Sequence, residues 1–275
     1  MKINKKIAIQ GINGSFHHEA ATKFYDETIA IVSCISFEEV AKTISIENVD
    51  FGIMAIENSI AGTLIPNYAI IDRDNFWIFG EQTIEINQHL MAAPDQTILD
   101  IEEVYSHPIA LLQCMDYLRE YPHIKIVEYK DTAEAAKKIK DENLKKVAAI
   151  ASAKAAELFE LNILIENIQT VKNNQTRFVV LSKNKQKINK KEVNKASIKF
   201  VLKDTPGCLA TVLNIMNNAS LNLTKIQSLP IIEAPFTYSF FIDFEFKKFK
   251  HYKKSEKLLK LITQEYKLLG IYKKN

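Results

Sequence analysis

Apolar residues fall in short runs at 6–10, 29–35, 51–56, 77–91, 104–106, 124–129, 147–151 and 178–181, most of them of strand length. Between several of them lie amphipathic stretches with helical spacing, at 37–47, 109–119, 132–140 and 153–159. Strands alternating with helices predict an α/β domain with a largely parallel sheet over residues 1–182. The run at 77–91 exceeds one ordinary strand and is read as crossing between two lobes, with the ligand cleft at their interface.

Residues 183–195 are polar, Lys/Asn-rich and aperiodic, which predicts a linker. Beyond it, 196–275 reads as strand 196–202, a Pro206-Gly207 turn, helix 208–219, strands 221–228 and 236–246, helix 253–267 and strand 268–272. That βαββαβ order is the α+β, ferredoxin-like split β-α-β arrangement.

A hydrophobic fraction of 47% with 25% charged residues in 275 excludes disordered and fibrous chains. No apolar window is long enough for a membrane span. The N-terminus runs straight from Met1-Lys2-Ile3-Asn4 into a strand pattern, without a secretory apolar segment. Cys34, Cys114 and Cys208 are scattered, which disfavours a disulfide framework or zinc site and fits a reducing cytoplasm.

The net charge of +3 hides an asymmetry. Residues 1–182 carry 17 basic and 26 acidic side chains; 183–275 carry 19 and 7. The basic C-terminal part shows no aromatic–basic interleaving and no helix-turn-helix pattern, so its lysines read as solvated and no nucleic-acid partner is expected. Only three of the cations are arginines, Arg73, Arg119 and Arg177. Arginine supplies a planar bidentate fork that lysine lacks.

Four segments could carry chemistry. Gly11-Ile12-Asn13-Gly14-Ser15-Phe16 follows the first strand and opens a helix, as a structural turn or an anion site. It is neither a dinucleotide fingerprint nor a P-loop. Ile56-Glu57-Asn58-Ser59 ends a strand, where α/β sheets place ligands; capping the next helix is the other reading. Tyr105-Ser106-His107-Pro108, with Gln113 beyond, could face the same cleft. His107 is read as structural or substrate-positioning, because a nucleophilic triad needs a buried carboxylate and an oxyanion hole as well. No histidine pair has metal-ligand spacing. Asn173-Asn174-Gln175-Thr176-Arg177-Phe178 runs directly into an apolar strand. There Arg177 could clamp a carboxylate, pair with Glu57 or make a surface salt bridge.

In order and spacing these segments, together with Asp131-Thr132-Ala133-Glu134-Ala135-Ala136, resemble the prephenate dehydratase family over essentially the whole chain. The resemblance implies a two-lobed, type-2 periplasmic-binding-protein-like catalytic domain followed by an ACT domain, in a monofunctional protein that starts at the dehydratase's first strand. It also implies conversion of prephenate to phenylpyruvate, water and carbon dioxide. Aromatisation drives that reaction, so no redox cofactor, metal or covalent intermediate is called for. The chemistry needs a donor at the departing hydroxyl, a dry pocket for the leaving carboxylate and a clamp on the pyruvyl carboxylate.

By the same resemblance Thr176 matches the family's essential threonine, and Asn58, Ser106 and Gln113 match positions of substrate binding and turnover. Ser15, Glu57, Ser59, His107, Arg177 and Phe178 form a second tier around the substrate. In the ACT part, Gly207-Cys208-Leu209 and the Asn222-Leu223 strand match the effector region. Gln227-Ser228-Leu229-Pro230 stands where the family typically shows Glu-Ser-Arg-Pro, which puts phenylalanine inhibition in question because a five-donor cation is replaced by leucine. A homodimer or homotetramer is the expected state. The rival readings are arogenate dehydratase, the same chemistry on the aminated substrate, and a non-catalytic ligand sensor.

Overall fold

A computed structural model of the chain describes residues 5–25, 29–46, 48–232 and 234–275. Residues 1–4 and Glu47, the last residue of the expected helix 37–47, lie outside that set. The chain divides into two compact units, one of residues 1–62 with 83–178 and one of residues 63–82 with 179–275.

The first unit opens with β1 (Lys5–Gln10), α1 (Phe16–Tyr25), β2 (Ile29–Cys34), α2 (Phe37–Ser45) and β3 (Phe51–Asn58). Strand β1 lies between β2 and β3, parallel to both, so β1 and β3 carry nearly continuous buried runs rather than an alternation. Helix α2 starts at Ser36, whose side chain accepts from Glu39 N, while the Glu39 carboxylate accepts from Ile35 N. The two contacts act as a reciprocal cap.

Past β4 (Gly62–Thr63) and α3 (Ile65–Arg73), β5 (Trp77–Glu85) runs from the second unit into the first, followed by β6 (His89–Ala92). The expected run at 77–91 is therefore two strands. The ladder breaks at Ile86–Gln88, where Ile86 N donates to Asn174 O and Gln88 N to the Gln169 side chain.

The remaining first-unit elements are β7 (Glu103–Ser106), α4 (Pro108–Gln113), α5 (Met115–Leu118), β8 (Lys125–Glu128), α6 (Thr132–Asp141), β9 (Val147–Ala151), α7 (Ala153–Phe159) and β10 (Asn162–Ile165). The second sheet has the order β10-β6-β9-β7-β8. Its β7 is parallel to both neighbours, and β6 is antiparallel to both of its own. Each helix after a parallel strand is capped by a residue at that strand's end: His107 for α4, Asp131 for α6 and Ser152 for α7. The same loops thus terminate strands, start helices and gather polar side chains at one end of the sheet.

Strand β11 (Gln175–Ser182) leads into the second unit, which continues as β12 (Lys195–Val201), α8 (Cys208–Asn218), β13 (Leu221–Pro230), β14 (Tyr238–Phe246), α9 (Phe249–Ile262) and β15 (Glu265–Tyr272). Its antiparallel order β13-β14-β12-β15 is the ferredoxin-like one. Ile198, Phe200, Phe244, Val212, Met216, Tyr252 and Leu259 form its core.

Several details depart from the sequence pattern: the expected helix 109–119 is two, α4 and α5, which meet at Cys114, and the last helix opens at Phe249, before the expected 253. The last helix stops at Ile262 and the strand starts at Glu265, earlier than expected, because Glu265–Tyr272 pairs with β12 along its length; pairing overrides the helix propensity of Glu265, Lys267 and Leu268. Lys195 is not a solvated linker lysine. It opens β12, is 5% exposed, and sets its Nζ 2.8 Å from both carboxylate oxygens of Glu81.

Candidate active site

The C-terminal end of β3 meets the N-terminal end of β11. Ser59 N donates to Gln175 O at 2.8 Å, and Gln175 N donates back to Ser59 Oγ at 2.9 Å. This junction carries Asn58. Its Oδ1 accepts from Ile60 N (3.0 Å) and Ala61 N (2.8 Å), which fixes the amide plane by closing a local turn.

The amide nitrogen is thereby aimed at β11. Asn58 Nδ2 donates to Asn174 Oδ1 at 2.7 Å and to Thr176 Oγ1 at 2.9 Å, with Gln175 O at 3.2 Å. Asn174 in turn donates from Nδ2 to Gln113 Oε1 at 3.2 Å. Asn58, Asn174 and Thr176 are 9%, 1% and 8% exposed. The Thr176 oxygen is thus held as an acceptor in a nearly dry setting. Its own hydroxyl proton has no acceptor among the described residues.

Successive residues of a strand face opposite sides. Glu57 and Arg177 accordingly lie on the other face from Asn58 and Thr176, where Arg177 Nη1 stands 3.7 Å from Glu57 Oε2. Phe178 shares the Thr176 face. It is buried, and its ring takes the edge of His17 at 4.9 Å between centroids and 84°.

His17 is also buried, and its Nε2 has no hydrogen-bond partner among the described residues. Burial pushes its pKa down to about 3. Between about pH 6.5 and 3 the unfolded chain binds a proton that the folded one refuses, so stability falls as pH falls through that window. Replacing His17 by Phe should remove up to about 1.4 kcal/mol of this loss per pH unit, measured as the slope of urea-unfolding free energy against pH. An unchanged slope would place the proton elsewhere.

The other expected residues stand on separate contacts. Ser106 is fully buried and donates from Oγ to Ile150 O at 2.6 Å, tying β7 to β9. His107 accepts at Nδ1 from Ile109 N (3.2 Å) and borders a cavity of about 510 Å³ with Pro108, Glu128, Tyr129 and Lys130. Gln113 borders another, of about 350 Å³, with Ile60, Leu112 and Val171.

Ser15 is buried at the start of α1, with His18 N donating to its Oγ. The loop before it rests on α7: Ser152 Oγ donates to Gly14 O at 2.7 Å, and a Cβ on Gly14, at φ +93°, would lie 3.2 Å from Ala155 Cα.

In the second unit Gly207 (φ +83°) precedes α8, and Cys208 Sγ lies 2.8 Å from Thr205 Oγ1. Cys208 and Leu209 border a cavity of about 160 Å³ with Lys203, Asp204 and Phe236. Asn222, Leu223, Gln227 and Ser228 lie along β13, with the Gln227 amide folded onto Ser228 O. No group of three His, Cys, Asp or Glu among the described residues is placed to hold a metal ion. No helix among them is long and apolar enough to cross a membrane.

The family model for prephenate dehydratase matches residues 7–186, which include every residue of the Asn58–Asn174–Thr176 constellation. The chain belongs to the prephenate dehydratase family. It is 35% identical to the bifunctional chorismate mutase/prephenate dehydratase of Aquifex aeolicus over 98% of this chain and 74% of that protein. It is 36% identical to arogenate dehydratase/prephenate dehydratase 2 of Arabidopsis thaliana over 87% of this chain and 65% of that one. A prephenate dehydratase from Arthrobacter aurescens, solved in complex with L-Phe, has the same fold with a TM-score of 0.85 at 23% identity, covering 98% of this chain and 89% of that one.

Within this dehydratase fold, sequence reasoning missed Asn174 as a site residue. The signal was present: an amide one position before a buried strand, where a free loop has no reason to bury it.

Proposed function

We propose that the chain is a prephenate dehydratase, a hydro-lyase that converts prephenate to phenylpyruvate, water and carbon dioxide. The observation that carries this reading is the direction of the Asn58–Thr176 hydrogen bond. Because Asn58 donates to Thr176 Oγ1, the threonine proton is available for the departing ring hydroxyl. As the C–O bond breaks, the ring carboxylate leaves as carbon dioxide and its bonding pair enters the ring, while the hydroxide formed takes up a proton. A threonine is a weak acid, so Thr176 acts by stabilising the negative charge on the leaving oxygen, as preorganised donors do. Asn174 and Gln113 keep Asn58 in place.

Ser15, Ser59, Ser106, His107 and Phe178 shape the surroundings of the substrate. Arg177 stands beside Glu57 on the opposite face of β11 from Thr176, so in this reading it supports the strand and does not clamp the substrate carboxylate. Equimolar phenylpyruvate and carbon dioxide from prephenate, with purified protein, tests the assignment; a folded protein that yields neither refutes it.

The domain reading that goes with this function is a catalytic part over 1–182, of which residues 63–82 join the C-terminal unit, a linker over 183–195 whose last residue already opens β12, and an ACT regulatory part over 196–275. Its support is the ferredoxin-like strand order and the cavity at Cys208 and Leu209. The relative with L-Phe bound makes phenylalanine the effector to test here. Without the family's Glu and Arg, millimolar phenylalanine should leave turnover within about twofold of the uninhibited rate, since each lost charged hydrogen bond weakens binding about tenfold or more. Strong inhibition would show that the cavity alone suffices. The assembly proposed is a cytoplasmic homodimer or homotetramer, checked by light scattering.

A further inference from the structure

The turn that orients the Asn58 amide has little of its own to hold it. Residues 59–62 are exposed, and Gly62, at φ +81°, has nothing within 4 Å of the place a Cβ would take. The near end of the turn is fixed where Ser59 and Gln175 exchange hydrogen bonds. Its far end is Thr63, which closes the two-residue strand β4 against β3. The Thr63 side chain is held from a distant part of the sequence. Lys225 Nζ donates to Thr63 Oγ1 at 2.8 Å, across 162 residues.

Lys225 lies on β13 and is 9% exposed, a depth at which lysine is rare. Asp243, 2% exposed, stands opposite it in register on β14, and the Tyr68 ring lies 5.8 Å from the ammonium. A carboxylate on the same face of the ladder and an aromatic ring in cation–π range offset the lost hydration of the charge. The ammonium is thereby fixed in place, and Thr63 takes one of its three donors.

Without that bond the exposed turn relies on a two-residue strand alone. Ile60 N and Ala61 N then leave Asn58 Oδ1 more easily, and the amide loses the orientation that points Nδ2 at Thr176 Oγ1. A misplacement of about 1 Å, caused far from the chemistry, can cost about 10²-fold in rate. We infer that Lys225 is a positioning residue for the dehydration, holding through Thr63 the turn that aims the Asn58 amide at Thr176. This inference rests on the dehydratase reading above.

The test measures kcat and KM for phenylpyruvate formation from prephenate in Thr63→Val, Thr63→Ser and Lys225→Met, with urea unfolding of the same samples. Thr63→Val keeps the branched shape and leaves Lys225 and Asp243 in place, so it isolates the hydrogen bond. The expected result is a fall in kcat of about tenfold in Thr63→Val and at least as much in Lys225→Met, with KM changed less than about twofold. Thr63→Ser, which keeps the hydroxyl, should recover most of the rate. In an Asn58→Asp background Thr63→Val should add little, because both changes disturb the same amide. A merely structural role would lower stability without that non-additivity.

An unchanged kcat in folded Thr63→Val overturns the inference and leaves the dehydratase reading intact. Losses that multiply in the Asn58→Asp background do the same. If Lys225→Met fails to fold, the two Thr63 variants still decide. A folded wild type that forms no phenylpyruvate overturns the inference and the dehydratase reading together.

Discussion

Thr176→Val should lower kcat for prephenate about 10²–10³-fold, about 3–4 kcal/mol of transition-state stabilisation, the usual loss when one preorganised donor is removed. Valine keeps the branched shape and removes the hydroxyl, so β11 should retain its pairing and packing. The donor acts on charge that develops on the leaving oxygen, and KM should therefore change much less than kcat. Thr176→Ser, which restores the hydroxyl, should recover most of the rate. Steady-state phenylpyruvate formation with circular dichroism on the same samples checks both. Retention of wild-type kcat by the valine variant would remove Thr176 from the chemistry.

Lys195→Met should destabilise the protein by about 3–5 kcal/mol. The side chains of Lys195 and Glu81 are 6% and 3% exposed, and the ammonium stands 2.8 Å from both carboxylate oxygens. Removing the lysine leaves Glu81 buried and charged, which costs more than the intact pair contributes. The double variant Lys195→Met, Glu81→Leu should therefore regain much of the loss, because neither side chain then asks for a charge partner. Urea unfolding of the four proteins measures the coupling. Equal loss in the single and double variants would mean that packing, not uncompensated charge, sets the cost.

The sequence pattern carried the strand–helix alternation because the parallel strands are buried on both faces and read as unbroken apolar runs, as at 51–56 and 147–151. It carried the βαββαβ order for the opposite reason, since those strands are bounded by clear turns. It did not show that residues 63–82 join the C-terminal unit. That association depends on distant contacts, Lys195 with Glu81 and both Lys199 and Lys267 with Asp72, and local periodicity carries no trace of them.

The motifs at Asn58 and Thr176 were legible as motifs. Their meeting was not, because 118 residues separate the two. The direction of the bond between them depends on the Asn58 turn, which orients the amide.

The hydrogen-bond direction at Thr176 is open to one direct measurement, the single-turnover rate of phenylpyruvate formation in Asn58→Asp alone and combined with Thr176→Val. Aspartate keeps an acceptor for Ile60 N and Ala61 N, but it turns the second atom from donor to acceptor and so engages the Thr176 proton. The rate should fall about 10²–10³-fold, and Thr176→Val should add little to that loss, because both changes withdraw the same proton. A near-normal rate in Asn58→Asp, or losses that multiply in the double variant, would contradict the mechanism.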